Sequence, residues 1–119
     1  MPRFAILTHD HPEWHWDFLL EAGPACRTWR LSDEPAIGAK IPAEAIADHR
    51  LKYLTYEGPV SGNRGQVTQW DSGDYEGIQD DERIIIIRLA GHRLQCDCRL
   101  TRIADTSWQA EFIPRNTNN

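Results

Sequence analysis

Arg83-Ile84-Ile85-Ile86-Ile87-Arg88-Leu89 sets the reading of this chain. Its side chains are largely β-branched, which favours a pleated, packed surface over a helix. The run predicts a central strand buried on both faces. It is far too short to cross a bilayer. Gly91 turns the chain into a second strand-like stretch over 93–103, and 107–113 follows as a third. Upstream, strand character recurs at 3–7, 14–21, 27–31, 51–56 and 66–70, with a short piece at 74–76. Gly23-Pro24, Gly58-Pro59 and Asp71-Ser72-Gly73 punctuate these runs as turns. Only 42–48, with its alanines, Glu44 and leading Pro42, reads as a short helix. Residues 32–40 read as a loop, and 116–119 as a frayed tail. The expected fold is all-β: a compact closed or nearly closed β-barrel with one short helix, one domain over 1–119.

A chain of 119 residues that is 40% hydrophobic and 26% charged is ordinary for a globular domain. Its formal charge of −5 argues against a broad nucleic-acid-binding surface, which is normally basic. Arg83, Arg88, Arg93, Arg99 and Arg102 read as solvated strand faces. Cys26, Cys96 and Cys98 lack the spacing of a disulfide framework, and read as small buried side chains. No signal-peptide pattern is visible, so a soluble cytoplasmic protein is expected, with no membrane contact.

The chemistry concentrates at Thr8-His9-Asp10-His11-Pro12-Glu13-Trp14-His15-Trp16-Asp17-Phe18. Extended backbone puts His15 and Asp17 on one face and Trp14, Trp16 and Phe18 on the other, where the aromatic side chains would bury. A second group, Asp48-His49-Arg50-Leu51-Lys52-Tyr53, puts His49 where the short helix would hand over to a strand. His9, His15, Asp17 and His49 together make a histidine–carboxylate set suited to a catalytic divalent ion such as zinc, manganese or iron. The alternative is that each histidine is an isolated polar residue satisfied by backbone. The glycine-rich stretch 57–65 carries Arg64, a cation that can pair with phosphate, or it simply turns the chain.

The order H-D-x(4)-H-W-D-F-x-L-E from His9 to Glu21, T-W-R-L from Thr28, D-H-x-L-x-Y-x-x-Y-E-G from Asp48 to Gly58, and W-D-x-G from Trp70 resembles the 3'-phosphoesterase domain of bacterial DNA ligase D. It is also similar to small stand-alone proteins built from that domain. The resemblance implies a β-barrel that uses manganese, or zinc or another transition metal, to remove 3'-phosphates or 3'-ribonucleotides during DNA end repair. It implies that His9, Asp17 and His49 bind the metal, and that His15 and Tyr53 contact the scissile phosphate. Its implied partners are nucleic-acid 3' ends and DNA end-joining proteins. Arg64, read from its own loop and not from the resemblance, is a candidate further anchor.

Three positions depart from that pattern. Leu19, Asp33 and Ile41 stand where the resemblance leads one to expect cations, with Lys40 beside the last. Loss of one such contact costs about 2.7–4 kcal/mol of transition-state stabilisation. Arg64 and Lys40 are the candidates for compensation. Two other readings follow: a non-catalytic metal-binding barrel that recognises DNA ends or repair partners, and a metal phosphoesterase for another small phosphorylated substrate.

Overall fold

The computed structural model describes residues 1–115, and the expected tail at 116–119 lies outside them. The chain runs through β1 (Arg3–His9), β2 (His15–Ala22), β3 (Ala25–Leu31) and β4 (Lys40–Arg50). A 3-10 turn (Leu51–Leu54) and a two-residue bridge, β5 (Gly58–Pro59), lead into the long β6 (Gln66–Asp80). β7 (Ile84–Gly91), β8 (Gln95–Ala104) and β9 (Ser107–Pro114) complete it. The wall runs β1-β2-β3-β4-β9-β8-β7-β6, and β6 pairs back onto β1, so eight antiparallel strands close a barrel. The all-β barrel expected from the sequence is the fold.

Barrel closure overrides local signals in four places. Residues 42–48 are not a helix but the middle of β4, where Ile41 and Ala43 point into the core. Helix propensity distinguishes such residues by only a few tenths of a kcal/mol each, less than the pairing of one strand with two neighbours supplies. The stretch 51–56, expected as a strand, instead begins with the 3-10 turn, which buries Leu54. Asp71-Ser72-Gly73 is no turn: β6 continues through it, leaving β1 for β7 at Gly73. Gly73 faces Phe4 on one side and Gly91 on the other, and a Cβ there would overlap the Ala90 carbonyl oxygen. Finally, β7 is central but buried on one face only. Ile85, Ile87 and Leu89 are buried while Ile84, Ile86 and Arg88 are half-exposed, because a barrel wall has one inner side.

The interior is filled. Phe4, Phe18 and Phe112 meet there with ring centroids about 6 Å apart, and Trp29 packs edge-on to Trp108 at 5.7 Å. Cys96 and Cys98 belong to the same core, and Cys26 to a second one. Burial pushes the Cys26 and Cys96 thiols up to about 11 and holds Cys98 well above its ordinary value, which suits packed side chains in these cores more than thiolate ligands. The late arginines are surface groups: Arg88 pairs with Asp97 at 3.0 Å, and Arg93 lies over the Trp70 ring. No helix among the described residues is long and apolar enough to cross a membrane.

The second core lies on the outside of the wall. Ala5 and Leu7 of β1, Leu19 of β2, Cys26 of β3 and Val67 of β6 face Leu54 of the 3-10 turn, with Leu51, Tyr53, Tyr56 and Val60 packed over them. The 51–60 segment therefore caps one patch of the barrel's outer wall. A filled lumen leaves no room for a substrate, so the chemistry has to sit on the outside.

Candidate metal centre

Alternation along β1 and β2 continues from this outer core directly into the histidine cluster. Ala5 and Leu7 lead to His9, and Leu19 leads to Asp17 and then His15, all on one side of the wall. His9 and His15 are opposite each other in the β1–β2 register. His49 comes from the far end of β4, paired with Cys26. The hand-over there runs from strand to helix, the reverse of the expected order, and the 3-10 turn then brings the Tyr53 ring to 5.7 Å from His49.

Asp17 is the hub, with 1% of its surface exposed. His9 Nδ1 is 3.2 Å from its Oδ2, and His49 Nε2 is 4.0 Å from the same oxygen. His15 Nε2 is 3.0 Å from Oδ1, yet the two atoms are not aligned as a hydrogen bond, and both are shielded without another partner. Each ring is anchored through its other nitrogen. His9 Nε2 donates to the Arg64 carbonyl at 2.8 Å, His15 Nδ1 to the Glu13 carbonyl at 2.8 Å, and His49 Nδ1 to the Ala47 carbonyl at 3.1 Å. A carbonyl oxygen only accepts, so the N–H of each neutral ring is committed there and its lone pair faces Asp17. Histidine ligands are oriented in this way at metal sites.

Three lone pairs and a carboxylate directed at one point repel unless the rings carry extra protons or share a cation. Ligand atoms of His9, His15 and Asp17 all lie within 4.8 Å of one another, close enough for one ion. The donor set, imidazole nitrogen with carboxylate oxygen, suits a divalent transition metal. Burial by itself pushes the Asp17 carboxyl up. The contact with His15, and the charges that His15, His49 and His9 can carry, outweigh burial and hold it below its ordinary value of 3.8.

A cavity of about 390 Å³ opens over this cluster, lined by His9, Asp17, His49, Tyr53 and Arg64. His15 instead lines a neighbouring cavity of about 780 Å³, together with Trp14 and Lys40. Trp14 is 59% exposed, so the aromatic face expected to bury does so only at Phe18 and partly at Trp16. The Arg64 guanidinium is tied to Ser61, Nε to the carbonyl oxygen and Nη2 to Oγ, while the Arg64 backbone holds His9. Gly65 permits that contact: it has φ of +76°, and a Cβ would overlap Asp10, whose Oδ1 accepts the Gln66 N–H at 2.8 Å. His11, which the strand phase leaves without a role, lines the smaller cavity.

A model of the DNA Ligase D 3'-phosphoesterase domain matches residues 7–102, which include every one of these side chains. The chain belongs to the DNA ligase D 3'-phosphoesterase domain family. Among relatives, the multifunctional non-homologous end joining DNA repair protein LigD of Mycobacterium tuberculosis is 31% identical over 119 residues, covering 92% of this chain and 16% of that protein. The multifunctional non-homologous end joining protein LigD of Pseudomonas aeruginosa is 28% identical over 83 residues, covering 66% of this chain and 10% of its own length. The chain thus spans only a small part of the curated relatives it matches.

Against this 3'-phosphoesterase frame, the three departures have separate physical fates. Leu19 is fully buried in the outer core, Ile41 points into the barrel, and Asp33 is exposed on a loop. Lys40 lines the larger cavity and not the one over Asp17. The sequence reading missed Arg30, which lines both cavities. A signal for it existed. A two-residue turn at Gly23-Pro24 pairs Ala22 with Ala25, and counting outward puts Arg30 opposite Asp17.

Proposed function

We propose that this chain is a divalent-metal-dependent phosphoesterase acting at nucleic-acid 3' ends, removing a 3'-phosphate or a 3'-ribonucleotide, with manganese the first choice of ion. The observation that carries this reading is the common orientation of three imidazoles. Each is anchored on a backbone carbonyl and each presents its second nitrogen to Asp17. Rings held in this way by backbone carbonyls support a metal-binding reading of the cluster.

Asp17 Oδ2 faces both His9 and His49, which supports His9, Asp17 and His49 as the ligands. His15 sits on Oδ1, steadying the carboxylate, and is itself close enough to His9 and Asp17 to share the ion in place of His49. When bound, a divalent ion supplies Lewis-acid polarisation of a phosphoester and a more acidic water. For His15 to hand a proton to the leaving oxygen, its ring has to turn Nε2 away from Asp17 Oδ1, where it is shielded. The Tyr53 hydroxyl donates to a non-bridging oxygen, and Arg64 offers a second anchor from the cavity rim. In this reading the chain works in the cytoplasm on DNA ends, beside end-joining proteins.

The test is release of phosphate or nucleoside from 3'-phosphate and 3'-ribonucleotide primers with manganese, comparing wild type with Asp17→Ala and His49→Ala. Metal-dependent release that both substitutions abolish is expected; release surviving both would reject the assignment. The burial of Leu19 and Ile41 favours one rival, a barrel that binds metal and DNA ends without turnover. Manganese binding and end binding without product would establish that rival.

A further inference from the structure

Four cationic side chains line the cavity over Asp17: Arg30, Arg50, Lys52 and Arg64. Two are already engaged. Lys52 Nζ lies over the rings of Tyr53 and Tyr56, at 5.2 and 5.1 Å, and the Arg64 guanidinium is bonded to Ser61. Arg50 projects from the exposed end of β4. Arg30 is different. It stands on β3 directly opposite Asp17 of β2 and Glu44 of β4, so all three side chains emerge on the same side of the wall. Among the described residues it makes no ion pair with either carboxylate, and its Nε is shielded without an acceptor. A buried donor left unpaired costs about 1–3 kcal/mol. With Nε shielded and the side chain only half-buried, this guanidinium stands beside a cluster of metal-ligand type and is available for an anion.

Its position is equally particular. The cavity holding His9, Asp17, His49 and Tyr53 and the cavity holding His15 share only Arg30 and Pro12 in their linings. A phosphate group seated where the two cavities meet is therefore bordered by Arg30. Asp17 is occupied by imidazoles, so it does not neutralise the guanidinium.

We infer that Arg30 is the principal phosphate-binding cation of this site, gripping the non-bridging oxygens of the substrate where the two cavities meet. The inference rests on the phosphoesterase reading, and names the residue that supplies positive charge in a site whose Leu19, Asp33 and Ile41 supply none. A guanidinium presents paired donors matched to two phosphate oxygens, which an ammonium cannot reproduce.

The test uses the whole chain and inorganic phosphate as the probe, by calorimetry, with and without manganese. Arg30→Met is expected to weaken phosphate binding at least tenfold in both conditions, while manganese affinity and the far-ultraviolet circular dichroism spectrum stay as in wild type. Arg30→Lys should recover part of the loss, and Arg99→Met, an equal charge change on an exposed strand position, should leave binding unchanged. On primers, Arg30→Met should raise KM as well as lower kcat. Unchanged phosphate affinity in Arg30→Met, equal losses in Arg99→Met, or wild type that binds no phosphate would each overturn the inference. Wild type that binds phosphate through Arg30 yet fails to bind manganese would uphold it while rejecting the metal reading.

Discussion

His9 turns Nδ1 toward Asp17 Oδ2 at 3.2 Å while its Nε2 donates to the Arg64 carbonyl at 2.8 Å. One ring thus ties the end of β1 to the buried carboxylate on β2 and to the 60–65 loop. The 60–65 loop and the candidate metal centre are consequently joined through this ring.

Metal binding should therefore stabilise the fold. At a hundredfold excess over Kd, an ion that binds only the native state adds about 2.7 kcal/mol. Thermal unfolding with manganese is expected to occur several degrees above the value in chelator. Asp17→Asn, which keeps the shape but removes the charge, should abolish that difference.

Gly65→Ala probes the second shell. Its Cβ would overlap Asp10 and meet His11, at a positive φ where side chains are strained. The loop must shift, taking the Arg64 carbonyl from His9. Manganese affinity should fall about tenfold, measured by calorimetry. An unaltered affinity would show that this carbonyl does not orient the ligand.

The Asp17 carboxyl is held below its ordinary value of 3.8, the contact with His15 and the histidine charges prevailing over burial. A group depressed in the folded state contributes stability above its unfolded pKa, and that contribution is lost as pH falls through the folded value. Metal-free wild type should accordingly lose its stability advantage over Asp17→Asn as pH drops below about 4. Denaturant midpoints for both proteins between pH 6 and pH 2.5 would reveal it, and parallel curves would contradict it.

Asp71 offers the contrasting case of a buried carboxylate with a purely structural task. Its oxygens accept the N–H groups of Ser72, His92, Arg93 and Leu94 at 2.8–3.0 Å, pinning the β7–β8 loop against β6. Asp71→Ala should cost about 3 kcal/mol, read from urea midpoints, while manganese affinity per folded molecule is retained. The W-D-x-G motif thereby acquires a role at the switch of β6 between partners, apart from the cluster of His9, His15 and His49.

The fold class, most strand positions and the shared face of His15 and Asp17 were legible in the sequence because they depend on local quantities. β-branched runs, period-two alternation and turn residues are all read within about ten positions. Two of the places that misled, 42–48 and 51–56, have weak local preferences that barrel closure reversed. Asp71-Ser72-Gly73 looked like a turn because small and polar residues also serve a strand that changes neighbours.

By itself, the sequence determined that histidines and an aspartate share the outer phase of β1 and β2, since alternation is a property of extended backbone. Only the tertiary structure decided that this phase faces outward beneath the 51–60 cap, because the interior is filled by Phe4, Phe18 and Phe112. It alone brought His49 to the Asp17 carboxylate and anchored three imidazoles on the carbonyls of Arg64, Glu13 and Ala47. It also stationed Arg30 across from Asp17 and Glu44, with no ion pair to either among the described residues. Those relationships join residues far apart in the chain, and registers between strands, not spacings along them, set their distances.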